Sequence, residues 1–495
     1  MVGAGVSAVS GVVLVAIITN GFPKELAGTL FAATSAFLIL SAISSLGTDT
    51  GLVRVLPQQL SQQRSADVIP TLRISLTPVL ALSGAIGLAM FASASQFAEA
   101  VVGDEQAPTM TTMLRILACF LPIAAANDVL LAATRGFGTM RPTVMVESLG
   151  RLGAQPILTL GVYLAGAGGL ALTLAWSVPY ALALLVSALW LRQLLRRRVV
   201  AGPPSRDVRA LAREFWSFTA PRAIAKITQT ALKRADILMV AALASPVDAA
   251  LYTAATRFVV LGQLGVQALQ QALAPQLSSL FAIGDKRGAQ QIFQAATAWM
   301  MILAWPIYLC CATYAPELLS VFGSGYDTGS AVVVILSLTM LLATAGGPVD
   351  SVLLMAGRSW LSLVNNTIGL AVDLGLNVIL IPRYGITGAA VSWAVAIVVR
   401  NALPLVQVRS SIGIWPGSRG AIWVGLSALV CFGALPGLVA LASGPLLVQA
   451  AVTVLGAVIY CFVLWRIRDQ VELVAFRGVL RSRAAYKASR ETVLR

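Results

Sequence analysis

The 495-residue chain has no histidine, five cysteines and only 11% charged residues. Without His there is no His-based metal site, no His general base and no Ser-His-Asp or Cys-His arrangement. The cysteines (Cys119, Cys310, Cys311, Cys431 and Cys461) all lie in apolar runs and form no C-x-x-C pair. They read as small buried apolar residues. No Walker A sequence is present, so no ATPase is built in. Acidic residues between the apolar runs (Glu25, Glu99, Asp104, Glu105, Asp248, Glu317, Asp327) are scattered on short tethers, unlike the facing carboxylates of a glycosidase. The first twenty residues lack the basic n-region of a secretory signal and read as a membrane span that stays in the protein. No cofactor, metal or catalytic residue is expected.

The shortage of charge is a statement about solvent. A soluble domain carries about 25% charged residues. This chain is 58% hydrophobic with mean hydropathy +0.84, so most side chains must face lipid or other helices. Apolar runs of spanning length fall at 3–20, 27–46, 74–98, 110–133, 143–166, 168–191, 215–245, 249–281, 288–316, 328–356, 359–382, 386–408, 420–442 and 445–465. The expectation is an all-α polytopic membrane protein with about fourteen transmembrane helices.

The net charge is +15. In a soluble protein that excess would suggest nucleic acid; here it follows topology, and no nucleic-acid partner is expected. Of the 35 Lys and Arg, 25 fall in even-numbered loops and the C-terminal tail, and two, Lys24 and Arg383, in odd-numbered loops. That asymmetry places both termini in the cytoplasm.

A weak internal repeat divides the chain. Leu30–Phe37 (LFAATSAF) resembles Leu251–Phe258 (LYTAATRF), Asp128 answers Asp350, and Gly166–Trp176 answers Gly385–Val395, all at nearly one offset. Duplicated six-helix halves are a transporter signature. Expected divisions are an N-lobe over 1–191, a basic cytoplasmic linker over 192–213, a C-lobe over 214–408, two extra helices over 420–465 and a basic cytoplasmic tail over 466–495. The two lobes should be pseudo-symmetric about an axis along the membrane normal. The linker, RQLLRRRVVAGPPSRDVRALAR, reads as a topogenic loop or as a connection between two transport lobes that also touches anionic lipid.

Ionisable groups at bilayer depth are expensive and mark cavities or buried pairs. The seventh run is the most informative. Arg222, Lys226, Gln229, Lys233 and Asp236 follow at steps of 4, 3, 4 and 3, which at 100° per residue is a stripe of about 80° on one helix face. Such a helix lines an aqueous cavity, or its first turns emerge and Arg222 snorkels; Asp236 is a candidate partner for Lys233. In the fifth run Glu147, Arg151 and Gln155 share a face, matched in the eleventh by Asn366, Asp373 and Asn377; these are cavity groups or a polar ladder between packed helices. The eighth adds Arg257, Gln263, Gln267 and Gln270. Asp128, Asp350 and Asp373 are candidates for ion coupling or for local capping.

Ser45–Leu60 (SLGTDTGLVRVLPQQL), Lys233–Asp236 (KRAD) and Ala250–Ala255 (ALYTAA) complete the pattern. With the duplicated halves, they resemble the multidrug/oligosaccharidyl-lipid/polysaccharide (MOP) exporter superfamily, in particular its polysaccharide-transporter or O-antigen flippase branch. The resemblance implies two lobes around a central cavity opened alternately to each side, and a cargo oligosaccharide on an isoprenoid (undecaprenyl) pyrophosphate carrier. It also implies the cytoplasmic, or inner, bacterial membrane, and polysaccharide polymerase or export proteins as partners beside membrane lipids. It carries over Arg54, Lys233, Arg234 and Asp236 as cavity residues. Fourteen helices are similar to the lipid II flippase branch too, but the first run here has no Lys or Arg. Multidrug exporters of the superfamily favour acidic cavities, against the net basic interior here. A membrane glycosyltransferase or polymerase would need a larger external loop than the dozen residues of Glu99–Thr109.

Overall fold

The computed structural model describes residues 2–199, 206–442 and 445–471. The middle of the basic linker (200–205) and most of the basic tail (472–495) lie outside the described residues. Among them the secondary structure is helical with no strand, as a bilayer requires of a chain that must satisfy every backbone group internally.

The first half runs α1 (Val2–Gly21), α2 (Lys24–Ser44), α3 (Thr48–Ser61), α4 (Val68–Ala92), α5 (Ala94–Gly136), a π-helical stretch Thr143–Arg151 continuing into α6 (Leu152–Leu164), and α7 (Gly169–Arg198). Then come α8 (Val208–Leu243), α9 (Pro246–Ala282), α10 (Lys286–Thr313), the short α11 (Ala315–Ser320), α12 (Ser330–Ala345) with α13 (Val349–Met355), and α14 (Ser359–Ser411). The chain closes with α15 (Arg419–Ala428), a π-helical stretch Leu429–Ala434, α16 (Leu435–Leu441) and α17 (Leu446–Arg466).

Among the described residues, ten helical stretches are long and apolar enough to cross a membrane. Helix α8 is not one of them, because its charges lower its hydropathy. Helix α14 covers two of the expected runs, broken at Gly385 (φ 55°, ψ −135°). That backbone geometry suits a residue without a Cβ. The apolar pattern misses α3, which is amphipathic and short; residues 45–61 read as loop from hydropathy alone.

Contacts divide the chain into two compact units. One comprises Met1–Arg257, Pro316–Val332 and Asn366–Ala396; the other comprises Phe258–Ala315, Val333–Asn365 and Ile397–Arg495. In the first, Leu52, Val55, Leu56, Val68, Val129, Phe137, Leu191 and Phe215 form one apolar cluster joining α3, α4, α5, α7 and α8. Gly47 (φ 71°) makes this docking possible: a Cβ there would lie 2.6 Å from the Ala223 amide nitrogen on α8. In the second unit, α10 is the hub. Its Met301 packs with Val424 of α15, and Tyr314 Oη, just beyond its end, donates to the Gln449 carbonyl of α17 (2.9 Å).

Candidate functional site

Helix α8 carries the charged stripe, and the structure treats its members differently. Arg222, Gln229 and Lys233 are exposed, Lys226 is half-buried and Asp236 is buried. Near the start of the stripe, the exposed Arg54 of α3 stacks on Phe218 with its guanidinium carbon 3.9 Å from the ring centre; Arg222 approaches the same ring at 5.4 Å. One turn on, Lys226 Nζ lies 3.3 Å from Asp49 Oδ2 of α3 and 3.9 Å from Asp128 Oδ2 of α5. Asp128, without an evident partner in the sequence, thus meets a lysine from the second half of the chain.

At the far end, Asp236 bonds to groups outside its own helix. Its Oδ2 accepts from Tyr252 Oη (3.1 Å) and its Oδ1 from Asn377 Nδ2 (3.0 Å). The Asp373 carboxyl lies against that of Asp236 within hydrogen-bonding reach. Neither Asp373 oxygen receives a hydrogen bond from an amide or hydroxyl donor among the described residues. Both carboxyls are buried. Two bare negative charges at that range would repel strongly in a dry site.

Between these ends, α1, α2, the Thr143–Leu164 segment, α7, α8 and α9 enclose a cavity of about 160 Å³ lined by Arg151, Arg234 and Arg257. Arg151 is paired: its Nε donates to both Glu147 carboxylate oxygens at 3.0 Å, and its guanidinium stacks on Tyr180 at 4.3 Å. The Arg257 Nε donates to the Thr253 carbonyl (3.2 Å). Arg234 has no ion pair or side-chain hydrogen bond among the described residues. Ser35 Oγ and Thr253 Oγ1 are buried at the same cavity without a partner among the described residues. Three guanidiniums with one carboxylate leave an excess of positive charge beside two orphaned hydroxyls. Chemically such an arrangement suits an anion with several oxygens. Trp176 and Tyr180 add an aromatic wall, and Gln155 Nε2 is committed to the Trp176 carbonyl (2.8 Å).

Residues 29–330 match the model of a family described as polysaccharide biosynthesis protein. The chain belongs to that family. Among individual relatives of this polysaccharide biosynthesis protein, a probable low-salt glycan biosynthesis flippase, Agl15 of Haloferax volcanii, is 24% identical over 231 residues, 46% of this chain and 49% of that protein. The chain thus spans about half the length of that curated relative. In fold it is similar to the lipid II flippase MurJ in an inward closed conformation: TM-score 0.74, 12% identity, 94% of this chain and 98% of that one. A multidrug resistance MATE family transporter of the MOP superfamily, inward-facing, gives TM-score 0.67 at 14% identity over 83% and 94% of the two chains. The fold of this polysaccharide biosynthesis protein is that of MOP-superfamily transporters, and it is a multi-pass membrane protein.

Of the expected site residues, the cavity unites Arg151, Arg257 and Arg234, the last expected only from the family resemblance. Arg54 and Arg222 gather at Phe218, Lys226 joins Asp49 and Asp128, and Asp236 joins Asp373. Gln229 and Lys233 are exposed between these groups. Asp350 stands apart in the other compact unit, where its Oδ1 accepts from Ser362 Oγ (2.5 Å). The helical stripe does not single out Arg234, which projects about 100° away from it. Asp49, Ser35 and Thr253 lie within the repeat and motif segments Ser45–Leu60, Leu30–Phe37 and Leu251–Phe258, but nothing in those segments marks them as site residues, because their significance lies in neighbours distant in the chain.

Proposed function

We propose that this protein is a flippase that moves an isoprenoid-pyrophosphate-linked oligosaccharide across the cytoplasmic membrane by alternating access, with both termini in the cytoplasm. It is read as a transporter, not an enzyme. The observation that carries the reading is the cavity where Arg151, Arg234 and Arg257 converge with the orphaned hydroxyls of Ser35 and Thr253. A pyrophosphate supplies the oxygens these donors need, and the Trp176–Tyr180 wall suits a sugar ring. Family membership supports a role in glycan biosynthesis. Arg54, Arg222, Lys226, Gln229 and Lys233 form the polar approach along α8.

The carrier lipid is of the undecaprenyl type, and polysaccharide polymerase and export proteins act on either side of the step. The division into lobes over 1–191 and 214–408 supplies the moving parts. Asp373, with Asp236, is the leading ion-coupling site; Asp128 and Asp350 hold equivalent places in the two halves. A lipid II-type peptidoglycan precursor is the second reading, favoured by the fold shared with MurJ.

The test is reconstitution into liposomes with a fluorescent lipid-linked oligosaccharide, scored by protection from an impermeant quencher. Protein-dependent flipping, competed by other pyrophosphate-linked lipids and lost in Arg234→Gln, supports the reading. Flipping of lipid II alone would select the second reading, and no movement of either would overturn both.

A further inference from the structure

The outer face of α7 continues from apolar residues straight into arginines. At 100° per residue, Val178, Leu182, Leu185 and Leu189 fall in one stripe; they are 37%, 57%, 58% and 57% exposed. The opposite face holds the buried Trp176, Tyr180 and Leu191. From Val178 to Leu189 the stripe rises about 16 Å, half the roughly 30 Å hydrocarbon core and so the depth of one leaflet. The next positions of the same stripe are Arg192 and Arg196, about 4.5 and 10.5 Å beyond Leu189, and both are exposed. Arg197 borders it. Arg198 projects to the other side, where it donates to the Phe137 carbonyl (2.9 Å).

None of Arg192, Arg196 and Arg197 makes an ion pair with an Asp or Glu among the described residues. The nearest acidic residues in sequence beyond the arginines are Asp207, the exposed N-cap of α8, which forms no ion pair with them among the described residues, and Glu214, which is engaged by Arg64 and Arg206. The foot of this exposed apolar stripe thus carries concentrated positive charge, unpaired among the described residues, at headgroup depth. The positive-inside tendency alone asks only for basic residues somewhere in this loop. It does not ask that they extend the lipid-facing stripe while their neighbour Arg198 turns to the Phe137 carbonyl.

We propose that this face is a specific site for an anionic phospholipid. The acyl chains lie along Leu182, Leu185 and Leu189, and the headgroup phosphate sits between Arg192 and Arg196. The complementarity is of charge and depth together: a zwitterionic lipid would bring its own cation to the arginines, whereas an anionic one neutralises them. The site is independent of the cargo cavity, so it stands whatever the protein transports.

The experiment is native mass spectrometry of the purified full chain, titrated with phosphatidylglycerol against phosphatidylcholine. Wild type is expected to retain phosphatidylglycerol in preference. Arg192→Gln/Arg196→Gln should weaken that retention on the order of tenfold, with thermal unfolding unchanged in the absence of lipid. Lys286→Gln/Arg287→Gln, which removes two charges from the exposed α9–α10 turn, should leave it intact. Equal retention of both lipids by wild type, or an equal loss in the control pair, would overturn the proposal. So would displacement of phosphatidylglycerol by an isoprenoid diphosphate at equimolar amounts, which would make the face an entry point for cargo.

Discussion

Lys226 Nζ stands 3.3 Å from Asp49 Oδ2, and with Asp128 at 3.9 Å it joins α3, α5 and α8 through one ammonium group. The three side chains are 26–39% exposed, so water screens them and each pair contributes about 0.2–1 kcal/mol. If the halves of the chain move apart during transport, this contact is cheap enough to break in each cycle and specific enough to restore alignment. Lys226→Met should therefore alter thermal stability by only about 1 kcal/mol. Lys226→Glu would set three carboxylates together and should lower both stability and transport more than Lys226→Met. Adding Asp128→Lys to Lys226→Glu should recover most of the loss. A double variant no better than Lys226→Glu would show that the contact does not depend on charge pairing.

The cavity arginines should separate by their partners. Arg234 and Arg257 have no carboxylate beside them, so Arg234→Gln and Arg257→Gln should weaken binding of a pyrophosphate headgroup about 10- to 100-fold each, in keeping with hydrogen bonds to a charged group, with little effect on folding. Arg151→Gln instead strands Glu147 and should cost stability as well. Titration calorimetry with a short-chain isoprenoid pyrophosphate, alongside thermal unfolding, distinguishes the two patterns. Equal effects of all three on folding would make the arginines structural.

Much of the architecture was legible because the bilayer imposes one rule, and apolar length reads it directly: α1, α2, α7 and α17 fall within a few residues of their expected runs, save the basic end of α7. What escaped was amphipathic, as with α3; the break expected between the two runs of α14 is present, but as a kink at Gly385 rather than a loop. The site was legible only in part for a different reason. A helical stripe finds groups on one face of one helix, and so it gathers Arg222, Lys226 and Asp236. It cannot show that Asp236 turns to Asp373 and Asn377, or that Arg234 meets Arg151 and Arg257, since those neighbours come from other helices.

Gly47 is the backbone hinge on which α3 turns to meet α8. Its φ of 71° and the 2.6 Å approach to Ala223 leave no room for a methyl group. Gly47→Ala should cost about 1–3 kcal/mol from the backbone conformation alone, with more from the clash, and lower the thermal midpoint in detergent. Gly84→Ala, where nothing lies within 4 Å of the new Cβ, is the matched control and should be near neutral.

Topology yields to thiol labelling. Cysteines placed at Gly103 and Gly325 should react with an impermeant reagent added outside intact cells, whereas one at Asp285 in the α9–α10 turn should react only after permeabilisation. Labelling of position 285 in intact cells would reverse the orientation inferred from the Lys and Arg distribution.

The Asp236–Asp373 pair makes the most direct claim about energy coupling. Asp373→Asn keeps the volume, removes one negative charge and lets the new amide donate to Asp236. Folding should therefore be preserved or improved, since a buried carboxyl contact is relieved. Transport should persist at a basal rate but lose its response to an imposed proton or sodium gradient, because the group that shares the ion is gone. Asp236→Asn should differ: it removes the acceptor for Tyr252 Oη and Asn377 Nδ2 and should lower stability by about 1–3 kcal/mol. The measurement is cargo flipping in liposomes with each gradient applied separately. If Asp373→Asn responds to the gradients as wild type does, the pair is a structural contact and coupling must be sought at Asp128 or Asp350.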